Sequence, residues 1–110
     1  MKTNIIIQSQ FEGFHQWPEA PEEVAFLRAL HRHIFCVRVG ITVTESRQHE
    51  FFMVKRDLDE VLQLFKSPRQ QSCEQMAEMI GVNMMALPKG YVVAFVSVFE
   101  DGENGAEVLF

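Results

Sequence analysis

The sequence predicts an α+β domain in which a four-stranded antiparallel sheet carries two helices on one face. Three stretches point to it. Leu30 to Val39 is a β-branched and aromatic run, and the strand it belongs to extends from His31 to Thr44. From Glu50 to Lys66, apolar residues recur three and four apart, which paints one face of a helix. Near the C-terminus, two strand-like runs flank Asp101-Gly102-Glu103-Asn104-Gly105, the composition of a hairpin turn.

At 110 residues the chain is one domain's worth, and its core is modest enough that oligomerisation is a natural source of further buried area. A hydrophobic fraction of 47% and a charged fraction of 23% are those of an ordinary globular protein. The net charge is −5 and no basic cluster occurs, so a groove tracking a nucleic-acid polymer is not expected. Ile5-Ile6-Ile7 is too short for a signal sequence or a membrane span. Cys36 and Cys73 make no disulfide framework. The expectation is a reduced, cytoplasmic protein.

The first strand runs from Lys2 to His15. Ile5, Ile7, Ser9, Phe11, Gly13 and His15 share one face unless Gly13 marks a bulge, which would shift the phase of His15. Trp17-Pro18-Glu19-Ala20-Pro21 ends the strand. Pro21-Glu22-Glu23 suits the first turn of a short helix, with Val24, Leu27 and Leu30 as its buried stripe; an irregular surface loop fits the same residues. In the second strand Phe35, Val37 and Val39 continue the face of His31 and His33, with Ile34, Cys36 and Arg38 opposite. Cys36 reads as a small core residue, Gly40 permits a bend, and Glu45 to His49 is a polar turn.

The first long helix buries Phe51, Val54, Leu58, Val61, Leu62 and Phe65, and solvates Lys55, Arg56, Asp57, Asp59 and Glu60. Ser72 with Gln75 three later is a capping box that opens a second helix. Met76, Ala77 and Ile80 form its apolar face, and Met79, Met84 and Met85 read as adaptable core filling. In the third strand, from Tyr91, the residues Val92, Ala94, Val96, Val98 and Glu100 share a face, and Ala106 to Phe110 return beside it.

Side chains two apart in a strand point the same way, so His31 and His33 present two imidazoles side by side. Such a pair is either two polar strand residues or two metal ligands. His15, at the end of the other strand-like run, would supply a third. Three neutral imidazoles converging on one point make an open zinc site.

The order His15, then His31-Arg32-His33, then Glu50-Phe51-Phe52-Met53-Val54-Lys55, then Ser72-Cys73-Glu74-Gln75-Met76-Ala77-Glu78, then Phe99-Glu100 before a Gly/Asn turn and Ala106, resembles the 6-pyruvoyl-tetrahydropterin synthase and 6-carboxy-tetrahydropterin synthase family. The resemblance spans nearly the whole chain. It implies a T-fold, whose subunits associate through their sheets into trimers or hexamers with sites between subunits. It places three zinc ligands on His15, His31 and His33. It places the acid that anchors a pterin ring on Glu100, where a carboxylate accepts paired N–H bonds from an amidine edge; a solvent-facing strand-end acid is the plainer reading of that residue. Ser72 and Cys73 match the family's small polar pair that helps hold the ring, and Ser72 also reads as a helix cap.

Departures from the family pattern bear on activity. Ala25-Phe26-Leu27-Arg28-Ala29-Leu30 lies where the family carries its catalytic cysteine, and it holds no nucleophile. The segment Phe65 to Gln71 lacks the family's Asp-His pair. The remaining proton-transfer candidates are Glu22, Glu23 and His49. Arg32, in place of a glycine, faces away from the metal. Three functions stay open: a zinc lyase acting on a pterin-type substrate, an oligomeric binder that senses or sequesters a purine-type nucleotide, and a structural assembly stapled by zinc.

Overall fold

The computed structural model describes residues 1–110. The strands β1 (Thr3–His15), β2 (His31–Val43), β3 (Val93–Glu100) and β4 (Asn104–Leu109) pair antiparallel in the order β1-β2-β3-β4. Helices α1 (Phe51–Leu62) and α2 (Cys73–Met85) connect β2 to β3 and cover one face of the sheet. α1 packs on β1, and α2 on β3 and β4. The predicted α+β layering is the one observed.

Strands β1 and β2 pair without a register break, from Thr3 opposite Val43 to His15 opposite His31. Gly13 therefore marks no bulge. It is glycine for a packing reason: a Cβ there would lie 2.9 Å from the rings of Phe11 and Phe35, which stack with centroids 5.2 Å apart. The register does break between Gly40 and Ile41, where β2 pairs with β3. That irregularity shifts the alternation at the start of β3, so Val93 is buried and Val92 is exposed, contrary to the expected shared face of Val92 and Ala94. Val96, Val98 and Glu100 keep the expected phase. Cys36 departs from its core assignment, being half-buried on the side of the sheet that carries no helix.

The core joins Phe35, Val37, Val39 and Ile41 of β2 to Val54, Leu58, Val61 and Leu62 of α1 and to Met76, Ala77, Ile80 and Met84 of α2. Phe51 is exposed rather than part of the stripe, because Glu50 caps α1 by accepting from the backbone N–H groups of Phe52 and Met53 and leaves Phe51 in the first turn. After Leu62 the helix tightens into a 3-10 turn over Gln63–Phe65. Pro68 then disfavours a helical conformation at Ser67. At α2 the capping box forms as expected: the Ser72 hydroxyl accepts from the Gln75 backbone N–H at 3.1 Å, and the Gln75 side chain accepts from the Ser72 N–H at 3.0 Å. Met84 fills the core, Met79 packs against its edge, and Met85 is exposed. Residues Glu22–Arg28 form 3-10 turns with no buried residue, so the expected stripe of Val24, Leu27 and Leu30 is absent, and Leu30 is exposed. Val24 has non-helical angles, which interrupts the turn and prevents one continuous face.

Asp57 ties α1 to the segment entering β3. Its Oδ2 accepts from the Tyr91 hydroxyl at 2.5 Å and the Lys89 ammonium at 2.9 Å. Burial alone raises the Asp57 pKa, but the Tyr91 and Lys89 bonds outweigh it and hold the carboxyl below its ordinary value of 3.8. The contribution to stability is thus full above that value and fades as pH falls through the lower value kept in the fold. Asp57→Asn is expected to lower stability by about 1–3 kcal/mol at neutral pH and to flatten this acid limb. Urea titration at several pH values checks both.

Candidate metal centre

The unbroken β1–β2 ladder brings the three histidines together. His15 ends β1 opposite His31, and His33 follows two residues along β2 on the same face. Their rings meet edge to face, with centroids 4.5 Å apart for His15 and His31, 5.2 Å for His15 and His33, and 5.0 Å for His31 and His33. One nitrogen from each lies within 4.8 Å of the others.

The second nitrogen of each ring is held from behind. His15 Nδ1 faces the Gln71 carbonyl at 3.2 Å, His31 Nδ1 faces the Ala29 carbonyl at 2.8 Å, and His33 Nδ1 faces Asp101 Oδ2 at 2.7 Å. Each partner is an acceptor; for His31 and His33, whose Nε2 atoms have no hydrogen-bond partner, Nδ1 therefore carries the proton and Nε2 keeps a lone pair, while His15 faces an acceptor at both nitrogens, Gln71 at Nδ1 and Glu100 at Nε2. The Nε2 atoms of His31 and His33 are buried without a hydrogen-bond partner. A buried polar atom left this way costs about 1–3 kcal/mol, and a bound cation would remove that cost. Burial, the largest influence, lowers the His15 pKa despite the opposing Gln71 carbonyl and Glu100 carboxylate, which favours the neutral ligating form. The donor set fits a divalent metal ion.

Glu100, at the end of β3, points into the same place. Its Oε2 lies 2.9 Å from His15 Nε2 and 3.5 Å from His33 Nε2. A cleft of about 670 Å³ opens here, lined by His15, His31, Glu100, Ser72, Cys73, Trp17 and Leu27 among others. Burial, followed by the charges of Glu100 and Glu74, pushes the Cys73 thiol up to about 12. Cys73 is therefore a protonated, unreactive thiol at the cleft wall.

The structure does not bring Glu22, Glu23 or His49 of the same chain to the cleft. Glu22 is exposed and pairs with Arg28 at 3.2 Å. Glu23 is also exposed on the 3-10 segment. His49 packs on Tyr91, ring centroids 4.8 Å apart, beyond the end of the sheet where Thr3 meets Val43. That is about 40 Å along β2 from His31, by the rise of a strand. Arg32 faces away from the triad, as expected, and pairs with Glu12 at 2.9 Å.

Two supports of the site escaped sequence reasoning. Asp101 has φ 54° beside Gly102 at φ 72°, which reads in the sequence as turn chemistry alone. In the fold its two oxygens divide between the His33 ring and the Ile34 N–H, the latter at 2.8 Å. The His33 bond first, and the Ile34 bond second, hold the Asp101 carboxyl below its usual range. Gln71 contributes only a carbonyl, which no side-chain pattern announces. It is positioned because Arg69 exchanges backbone bonds with Phe14 and Gln16, each 3.0 Å long. Removing the orienting carboxylate in Asp101→Asn is expected to weaken metal binding about 10–100-fold. Competition against a chelating indicator measures it, and unchanged affinity would contradict this role.

No family model matches the sequence, and no curated protein is found similar to it. Solved structures are. A 6-pyruvoyl tetrahydropterin synthase from Caenorhabditis elegans superposes with a TM-score of 0.76 at 10% identity, over 100% of this chain and 96% of that one. An uncharacterized protein from Wolinella succinogenes superposes with a TM-score of 0.78 at 16% identity, over 99% of this chain and 98% of that one. No helix is long and apolar enough to cross a membrane. Over its whole length the chain has the fold of that 6-pyruvoyl tetrahydropterin synthase, the T-fold expected from the order of its motifs.

Proposed function

We propose that this chain is a zinc-dependent T-fold protein that binds a pterin- or guanine-like ring beside the His15–His31–His33 triad. The observation that carries the reading is the paired arrangement of the three imidazoles: every Nδ1 is held by an acceptor, and the Nε2 atoms face inward. Nitrogen donors of this kind suit zinc. When bound, zinc would act as a Lewis acid on an oxygen substituent of the ligand.

The chain's own residues would do the rest. Glu100 would accept the paired N–H bonds of an amidine edge. Ser72 and the first turn of α2 line the same cleft, where a hydroxyl and backbone donors can meet ring heteroatoms. Trp17 and Leu27 supply the apolar surface that a planar ring needs.

The protein would work as a homo-oligomer, a trimer or hexamer, with the cleft completed by a neighbouring subunit. Its exposed Phe26, Phe52, Val92 and Leu109, together with two open sheet edges at β1 and β4, support association. Binding without turnover is the favoured form of this reading. Proton transfer needs a group within hydrogen-bond reach of the ligand. The one thiol lining the cleft is held protonated. Glu22, Glu23 or His49 could act as a base only from another subunit, and that is the condition for lyase activity.

His31→Ala is expected to abolish stoichiometric zinc in the purified protein. Glu100→Gln, assayed at saturating zinc, is expected to lose a pterin or guanine probe by at least tenfold, roughly the worth of a charge-assisted bidentate contact. Metal analysis and equilibrium dialysis measure these separately. Equal zinc in wild type and His31→Ala would sink the metal assignment, and equal probe binding in Glu100→Gln would sink the anchor.

A further inference from the structure

The cleft beside the triad is acidic as well as polar. Glu74 and Glu100 both line it, and no lysine or arginine does. Burial first, and then the charges of Glu100 and Glu74, raise the pKa of the Cys73 thiol in the cleft wall, so both carboxylates bear on the interior. Imidazoles apart, much of the remaining polar lining is uncharged: Gln16, Gln70 and Asn104 bring side-chain amides, and Ser72 brings a hydroxyl.

The cations adjacent in sequence to these walls are committed elsewhere. Arg28, next to Leu27, donates through Nε to the Ala20 carbonyl at 2.8 Å and pairs with Glu22 at 3.2 Å. Arg32, next to His31, pairs with Glu12 at 2.9 Å and faces the other side of the sheet. Arg69, next to Gln70, lies over the Phe65 ring, 4.8 Å from its centroid, and donates to the Leu64 carbonyl. The N-terminus of α2, a further positive pole, carries Glu74 in its first turn. Phosphate sites are built from such groups left free to donate. Two carboxylates also match the charge of a divalent ion on three neutral imidazoles, which leaves no excess positive charge for a phosphate.

We infer that the cleft selects an uncharged ring compound with a hydroxylated side chain, the class of a free nucleoside, and rejects its phosphate esters. This rests on the ring reading above and deepens it. Glu100 holds the amidine edge, the amides and the Ser72 hydroxyl meet the side-chain hydroxyls, and Glu74 repels a phosphate carried on that side chain.

The test is equilibrium dialysis of the full-length, zinc-loaded wild type and Glu74→Gln against guanosine and against GTP at low ionic strength. The wild type should bind guanosine at least about tenfold more tightly than GTP, the order of a like-charge contact near a protein surface. Glu74→Gln should bind GTP at least about threefold more tightly than the wild type does, with guanosine binding unchanged. Wild-type GTP binding as tight as that of guanosine overturns the inference and points to cations supplied by a neighbouring subunit, while the ring reading stands. That comparison does not depend on the variant folding. Equal GTP binding in wild type and Glu74→Gln overturns the inference too, because the discriminating charge is then not Glu74. Failure of both guanosine and GTP to bind overturns the ring reading itself, and the inference with it.

Discussion

The β1–β2 ladder is the constraint on which the rest depends. Its register is continuous from Thr3–Val43 to His15–His31. In a strand, a slip of one residue moves every side chain to the other face. Here such a slip would carry His15 away from His31 and His33 and would turn Ile7 and Phe11 out of the core. The core and the site therefore select the same register. Buried Phe35, Val37, Val39 and Ile41 hold β2 in phase, and the histidines inherit their position from that phase.

The second level of the site comes from chain ends and turns. Ala29 precedes β2, Gln71 precedes α2, and Asp101 follows β3. Each presents an oxygen to one imidazole Nδ1. Strands thus fix where the rings stand, while the flanking segments fix which nitrogen faces inward. Metal affinity depends on both, because a correctly placed imidazole in the wrong tautomer offers a proton where a lone pair is needed.

Much of this was legible in the sequence wherever a local rule and the global fold agreed. The spacing of Val54, Leu58, Val61 and Leu62 marked α1, the Ser72–Gln75 pair marked the start of α2, and period-two alternation put His31, His33 and Phe35 on one face. What was illegible depended on contacts between distant segments. The break at Gly40 is a property of the pairing between β2 and β3, so the burial of Val93 in place of Val92 could not be read from β3 alone. Gly13 suggested a bulge, yet it serves the stacking of Phe11 on Phe35. Asp101 looked like hairpin chemistry because the bond to His33 spans the whole helical crossover. The Gln71 carbonyl has no side-chain signature. The segment before β2 has proline and acids in helical order, but without a buried stripe it settled into 3-10 turns.

A β1–β2 ladder that builds a zinc centre inside an oligomer fixes both the mass of the assembly and its metal content. Native mass spectrometry of the purified protein, with metal analysis on the same sample, reads both most directly. The expected result is a trimer or hexamer carrying about one zinc per chain, the stoichiometry of a single three-histidine site. A metal-free monomer that takes up no added zinc would contradict it.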